Sequence, residues 1–212
     1  MIYTVGDSFT YGQELPNPQE QAWPILLANK LNKNLVNEGR GGAGNDFIVK
    51  KTIQAVAKYK PEIVIIAWTS FGRKEFADEH GPYTVWPGSG DSIFGSDPKL
   101  SYRINLVKYI TLYNNELYEY RCWLRQVILL QNYLQNNNID YIMCNVFDNQ
   151  KKYNLFSNDN KEYYDLIDKD RFIGWPTEGI VEWVYGTPHG PGGHPLEQGH
   201  QIIANKILES LQ

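Results

Sequence analysis

The chain has 212 residues, enough for one domain with a sizeable core, and a formal net charge of −4. Its 20 Lys and Arg residues are scattered, which makes nucleic acid and anionic membrane surfaces poor partners. The longest apolar runs, such as IVIIAW, are far shorter than the roughly 20 residues of a membrane span. The first residues also lack a basic segment followed by a long apolar one, so we expect a soluble protein without a signal peptide.

Four short runs rich in Val and Ile predict β-strands. Their hydrophobicity is continuous rather than alternating, which is typical of parallel strands covered by helices on both faces. The runs span residues 2–5, 34–37, 62–68 and 140–147, and helical patterns cover 21–32, 46–59 and 103–136 between them. The alternation of strands and helices predicts a single α/β domain over residues 1–212 with a central parallel sheet.

Two helical segments carry a regular apolar stripe, which we expect to face the core. The stripe in residues 103–136 consists of Ile110, Tyr113, Leu117, Tyr120, Leu124, Val127 and Leu134. The stripe in the last helix consists of Leu196, Ile203, Ile207 and Leu211. Residues 72–102 and 148–192 fit the alternation poorly, because they are long, polar and rich in Gly and Pro. We interpret both as insertions at one end of the domain.

The two cysteines, Cys122 and Cys144, stand apart in a helical and a strand-like segment. Isolated thiols of this kind indicate reduced side chains and a reducing cytoplasm. No cluster of His, Cys, Asp and Glu has the spacing of a metal site, so we expect neither a metal nor a cofactor.

The segment VGDSFTYG places Ser8 directly after the first strand, at the sheet edge where ligands of parallel sheets bind. Ser8 either closes a turn or caps a helix, or it is a nucleophile that needs a histidine base. Of the four histidines, His194 is the better candidate, since it lies on a glycine-rich loop before the last helix. His189 is its rival, whereas His80 lies in an insertion and His200 is expected inside the helix.

Acyl transfer also needs hydrogen-bond donors for the developing oxyanion. The segment NEGRGGAGND follows the second strand, and Gly42 in it is a candidate donor that could equally serve only a turn. The third strand ends in AWTSFGR, which offers Ser70, with Thr69 and Arg73 nearby. The glycine-rich segment lacks the endings of a P-loop or a dinucleotide site, which argues against nucleotide binding.

The segments VGDSFTYG, NEGRGG and GGHPLEQGHQIIA resemble blocks I, II and V of the SGNH (GDSL-type) hydrolase family, in the family's order. The resemblance implies a flavodoxin-like α/β/α fold and the hydrolysis of esters through an acyl-enzyme. It implies that Ser8 is the nucleophile and an oxyanion donor, that Gly42 is the second donor, and that His194 is the base. More loosely, WTSFGRKEFADEHGPYTVWPG and FIGWPTEG resemble SGNH-like proteins of tailed bacteriophages, which adds the virion as a possible location.

Two positions depart from the family pattern. Ser70 is the nearest equivalent of the asparagine that completes the family's oxyanion hole. The aspartate that precedes the family's histidine is missing, since Pro191 and Gly192 occupy those places. A backbone carbonyl of the flanking HGPGG is our favoured partner for His194. The alternative partner is a carboxylate from residues 148–192, such as Glu178 or Glu182. Because of the two departures, the alternative function is a catalytically weak or inactive module that binds a glycan or a virion protein.

The aromatic residues, 14% of the chain, and the long insertions suit a carbohydrate acceptor, so we expect a small ester such as an O-acyl sugar. Trp68, Trp86 and Trp175 are the tryptophans predicted to reach the cleft. Asp7, Asn45 and Arg73 are further candidates for substrate binding.

Overall fold

The computed structural model describes residues 1–89, 101–147 and 160–211. The described strands are β1 (Ile2–Gly6), β2 (Leu35–Gly39), β3 (Ile63–Trp68), β4 (Lys74–Asp78), β5 (Gly81–Val85), β6 (Asp140–Asn145) and β7 (Phe172–Ile173). The central sheet is parallel and has the order β2-β1-β3-β6-β7, while β4 and β5 form a separate antiparallel hairpin. The strand order is that of flavodoxin-like folds, so the predicted fold class is confirmed.

Helices cover both faces of the sheet. The described helices are α1 (Ser8–Tyr11), α2 (Pro18–Gln21), α3 (Trp23–Leu31), α4 (Asn45–Tyr59), α5 (Ser101–Tyr113), α6 (Glu116–Asn136), α7 (Lys161–Tyr164), α8 (Ile180–Trp183) and α9 (Glu197–Glu209). Alternate side chains of β3 pack against opposite layers. Ile66 lies in the core with residues of α4 and α6, and Ile65 lies in the core with residues of α3 and α9. The result is three layers, as the continuous hydrophobicity of the strands predicts.

The segment predicted as one helix over 103–136 is two helices. The break falls at residues 114 and 115, where the side chain of Asn115 accepts a hydrogen bond from the backbone N–H of Tyr118 and caps α6. The predicted stripe is buried only beyond the break. Tyr120 and Leu124 are fully buried, whereas Tyr113 is 66% exposed.

The two predicted insertions contain regular structure. Residues 72–102 include the hairpin of β4 and β5, and residues 148–192 include β7, which extends the sheet beyond β6. Residues 90–100 and 148–159 of these insertions lie outside the described residues. The strand β7 is two residues long, too short to give a periodic hydrophobic signal.

The register of the sheet brings the ends of three strands together. Gly6 at the end of β1 pairs with Gly39 at the end of β2, and Val5 pairs with Ile66 of β3. The loops that follow these strands, which contain the predicted site residues, therefore leave the sheet at one edge.

None of the helices in the described ranges has the length and hydropathy of a membrane span.

Candidate active site

A cavity of about 490 Å³ opens at the carboxyl edge of the sheet. Its volume lies within the range usual for small-molecule sites. The cavity is lined by Ser8, Phe9, Gln13, Gly42, Arg73, Trp86, Phe147, Val181, Gly192, Gly193 and His194. It therefore brings together the predicted nucleophile, the predicted base and one of the predicted oxyanion donors.

Ser8 is the first residue of α1, directly after the turn that ends β1. Asp7 is the N-cap of this short helix, and its side chain accepts a hydrogen bond from the backbone N–H of Phe9. The turn also requires Gly6, because a Cβ there would lie 2.2 Å from the hydroxyl oxygen of Thr10. Ser8 is thus held at the sheet edge by a fixed strand-to-helix turn, with 4% of its surface exposed.

His194 is the histidine that lines this cavity with Ser8. Its ring packs against Phe9, with 5.4 Å between the ring centroids. In the described part of the chain no hydrogen bond joins the Ser8 hydroxyl to the His194 ring. His189 is exposed and its Nδ1 lies 2.7 Å from the Thr187 carbonyl oxygen.

His200 is fully buried inside α9, as predicted, and cannot serve as the base. Its Nδ1 accepts a hydrogen bond from the backbone N–H of Trp23, which ties α9 to α3. Burial, together with the neighbouring His194, lowers the pKa of His200 to about 4. The ring is therefore neutral at pH 7 and acts as part of the core.

The carboxylate of Glu14 contacts His194 and its loop at three points. Glu14 Oε2 lies 2.8 Å from His194 Nδ1 and accepts a hydrogen bond of 3.1 Å from the His194 backbone N–H. Glu14 Oε1 accepts a bond of 2.7 Å from the Gly192 N–H. The expectation that a backbone carbonyl orients His194 is wrong, because a side chain 180 residues away occupies that position.

The Glu14 carboxyl is ionised in this arrangement. The Gly192 N–H, followed by the His194 side chain and backbone, lowers the Glu14 pKa from its ordinary value of 4.5, although partial desolvation opposes the shift. Because the pKa is lowered on folding, these bonds stabilise the protein above pH 4.5, and that contribution is lost as the pH falls through the lowered pKa. A carboxylate can only accept, so in this contact the proton lies on His194 Nδ1.

Ser8 and Gly42, which both line the cavity, each have a backbone N–H group that could serve as a donor. Neither the Ser8 N–H nor the Gly42 N–H donates a backbone hydrogen bond within the described residues. Gly42 has a φ of 71°, in the region that favours glycine, and open space surrounds its missing side chain. Ser70 does not line the cavity, and its hydroxyl accepts a bond from the Gly72 N–H instead.

A buried network lies beneath the cavity. The carboxylate of Asp7 is fully buried and accepts hydrogen bonds from the Thr69 hydroxyl at 2.6 Å and from Arg73 Nη1 at 3.0 Å. Asn45 binds the end of β3 through Thr69 and the Ser70 carbonyl. Asp7 and Asn45 therefore support the site from below, which corrects the expectation that they contact the substrate, while Arg73 reaches the cavity.

One of the three predicted tryptophans reaches the cavity. Trp86 lines it, and the guanidinium carbon of Arg73 lies 5.2 Å from its ring centroid. Trp68 is fully buried, and its Nε1–H points to the sulfur of Met143. Trp175 packs against Trp123 and Phe172 at the core. Trp68 is a core residue and Trp175 is partly buried against the core, which corrects the expectation that they reach the cleft.

The carboxylates predicted as alternatives lie elsewhere. Glu182 accepts a hydrogen bond from the Gly179 N–H at the start of α8, and Glu178 is exposed. Two other acids in the same stretch, Asp148 and Asp159, lie outside the described residues.

The described residues hold no group of three His, Cys, Asp or Glu side chains placed to bind a metal ion. Both cysteines are free, and burial raises the pKa of Cys144 to about 12.

Comparison with protein families places the chain in a family of unknown function, DUF6071, whose model matches residues 13–211. The chain belongs to this family. No curated protein matches it significantly.

Solved structures of esterases share the fold across nearly the whole chain. TesA is 14% identical with a TM-score of 0.58, and the alignment covers 100% of this chain and 97% of TesA. The psychrotrophic esterase EstA from Pseudoalteromonas sp. is 14% identical with a TM-score of 0.56, and the alignment covers 99% of this chain and 95% of EstA. A catalytic mutant of the acetylxylan esterase Axe2 from Geobacillus stearothermophilus is 15% identical with a TM-score of 0.54, and the alignment covers 99% of this chain and 93% of Axe2. The chain therefore has the SGNH-hydrolase fold, and the looser resemblance to phage proteins stays a prediction.

We expect the ion pair between Arg73 and Asp7 to stabilise the fold beneath the site. Replacing Arg73 by Met leaves the fully buried Asp7 carboxylate without its cation, which should lower the free energy of unfolding by about 3 kcal/mol. The matched control is Arg171→Met, which breaks a pair with Asp140 that is about half exposed and should cost under about 1 kcal/mol. Urea denaturation at pH 7 measures both, and equal small losses would contradict the buried pair.

Proposed function

We propose that this protein hydrolyses small esters through an acyl-enzyme on Ser8, with His194 as the base. The observation that carries the proposal is the shared cavity. It brings together Ser8, Gly42 and His194, to which the resemblance assigns the roles of nucleophile, second oxyanion donor and base. The esterases of the same fold support the reaction class.

The chemistry follows from the two histidine nitrogens. Nδ1 donates to Glu14, so Nε2 is free to accept the proton of the Ser8 hydroxyl as its oxygen attacks the ester carbonyl. The N–H groups of Ser8 and Gly42 would stabilise the negative oxygen of the tetrahedral intermediate. His194 then returns the proton to the leaving alcohol, and a water molecule activated by the same nitrogen releases the acid.

An acylated carbohydrate is the substrate class that the cavity favours. Trp86 offers an aromatic face inside it, and a second cavity of about 310 Å³ shares Gly42 and Trp86 with the first. A sugar could stack on Trp86 while its acyl group reaches Ser8. Axe2 is described as an acetylxylan esterase, and a two-domain esterase of related fold as active on acetylated mannans.

A fluorophosphonate probe tests the nucleophile. The native protein should be labelled at Ser8, and both Ser8→Ala and His194→Ala should lose labelling, because the hydroxyl is unreactive without its base. Ser210→Ala, which removes an exposed hydroxyl at the end of α9, should be labelled like the native protein. Mass spectrometry of the labelled peptide identifies the site.

Labelling that survives Ser8→Ala would reject the nucleophile. A folded native protein without labelling, and without turnover of p-nitrophenyl acetate, would instead favour the binding module.

Trp86→Ala tests the carbohydrate substrate. Loss of the stacking face should raise KM for an acetylated xylo-oligosaccharide by about tenfold. The guide to this magnitude is the stacking of a nucleobase on an aromatic side chain, which is worth on the order of 1–3 kcal/mol. The KM for p-nitrophenyl acetate, which has no sugar, should change much less. Tyr59→Ala at the far end of α4 is the control and should change neither value. Equal effects on both substrates would contradict stacking at Trp86.

A further inference from the structure

The glycine loop before His194 surrounds the Glu14 carboxylate. A Cβ on Gly190 would lie 2.7 Å from Glu14 Cδ, and a Cβ on Gly192 would lie 3.1 Å from both carboxylate oxygens. The volume of two absent side chains is thus filled by Glu14. Gly192 stands where the resemblance predicts an aspartate, so the missing carboxylate is replaced from the other side of the loop.

The loop itself is fixed around this contact. The Gly190 N–H donates to the His194 carbonyl and the Gly193 N–H donates to the Gly190 carbonyl, each at 2.9 Å. His189 and Pro195 form an antiparallel bridge just outside this turn. The backbone hydrogen bonds of the loop are therefore made within the turn itself. The partner of the His194 ring at Nδ1 is the Glu14 carboxylate.

Glu14 reaches the loop from the segment that follows the nucleophile helix. Gly12 ends α1 in the left-handed conformation, and Glu14 itself has a φ of 70°, which is uncommon for a residue with a side chain. The side chains of Glu14 and His194 are only 17% and 14% exposed, so water competes little for their contact. Ser8 and its supporting carboxylate thus come from one stretch of seven residues, 8–14.

From these contacts we infer that Glu14 is the positioning carboxylate of a rearranged triad, Ser8–His194–Glu14, in which the acid comes from the loop after the nucleophile and not from the loop before the histidine. The inference rests on the proposed function for Ser8 and His194. Glu14 holds the Nδ1–H tautomer, orients the ring and stabilises the imidazolium formed when the Ser8 proton moves to Nε2. It does not itself take that proton.

The ¹⁵N chemical shifts of the His194 ring test the inference without activity. At a pH where the ring is neutral, the native protein should hold the proton on Nδ1. In Glu14→Gln the amide can donate instead of accepting, so the proton should move in part or wholly to Nε2. A native protein with the proton on Nε2 would overturn the inference, even if Glu14→Gln fails to fold.

Kinetics of the same variant give the second readout. Glu14→Gln should lower kcat for p-nitrophenyl acetate by about 10⁴-fold with little change in KM, as expected when a triad acid loses its charge. The control Glu20→Gln changes an exposed glutamate six residues further on and should keep native kinetics. A Glu14→Gln variant with native kcat would overturn the inference. A native protein with the Nδ1–H tautomer but unlabelled Ser8 would instead refute the proposed function and leave Glu14 as the group that orients His194.

Discussion

The contact between the Glu14 carboxylate and the loop of residues 190–194 is the interaction on which the candidate site depends. It joins a residue near the start of the chain to one 180 residues later, and it sets both the position of the His194 ring and the nitrogen that carries its proton. Three donors converge on one ionised carboxylate, which is a stronger arrangement than neutral hydrogen bonds provide. Glycines in the loop leave the space that the carboxylate fills.

A second carboxylate fixes the other half of the site. Asp7 is fully buried at the end of β1, and its partners Thr69 and Arg73 follow β3. An unpaired buried carboxylate would be costly, so the ends of these neighbouring strands and the start of α1 are held together. Arg73 carries this network to the wall of the cavity, where it meets Trp86. The floor beneath Ser8 is therefore built from the buried polar groups of Asp7 and Thr69, and Arg73 connects it to the cavity.

Much of the fold and half of the site could be predicted from the sequence. The parallel sheet follows from continuous apolar runs, and Ser8 and His194 follow from their places after a strand and before a helix. Glu14 could not be found this way, because its partner is remote in the chain and a lone glutamate in a turn has no periodic signal. The glycines where an acid was expected were the available clue. The helix break at Asn115 had a signal, since asparagine is a common N-cap, but the apolar stripe ran through it.

A crystal structure of the protein after reaction with a phosphonate ester tests the central claim most directly. The account predicts phosphorus bonded to the Ser8 hydroxyl oxygen, with the phosphoryl oxygen about 2.7–3.1 Å from the backbone nitrogens of Ser8 and Gly42. His194 should lie beside the adduct with Glu14 still bonded to Nδ1. An adduct on another residue, or a phosphoryl oxygen bound by Ser70 with Glu14 turned away from His194, would contradict the account.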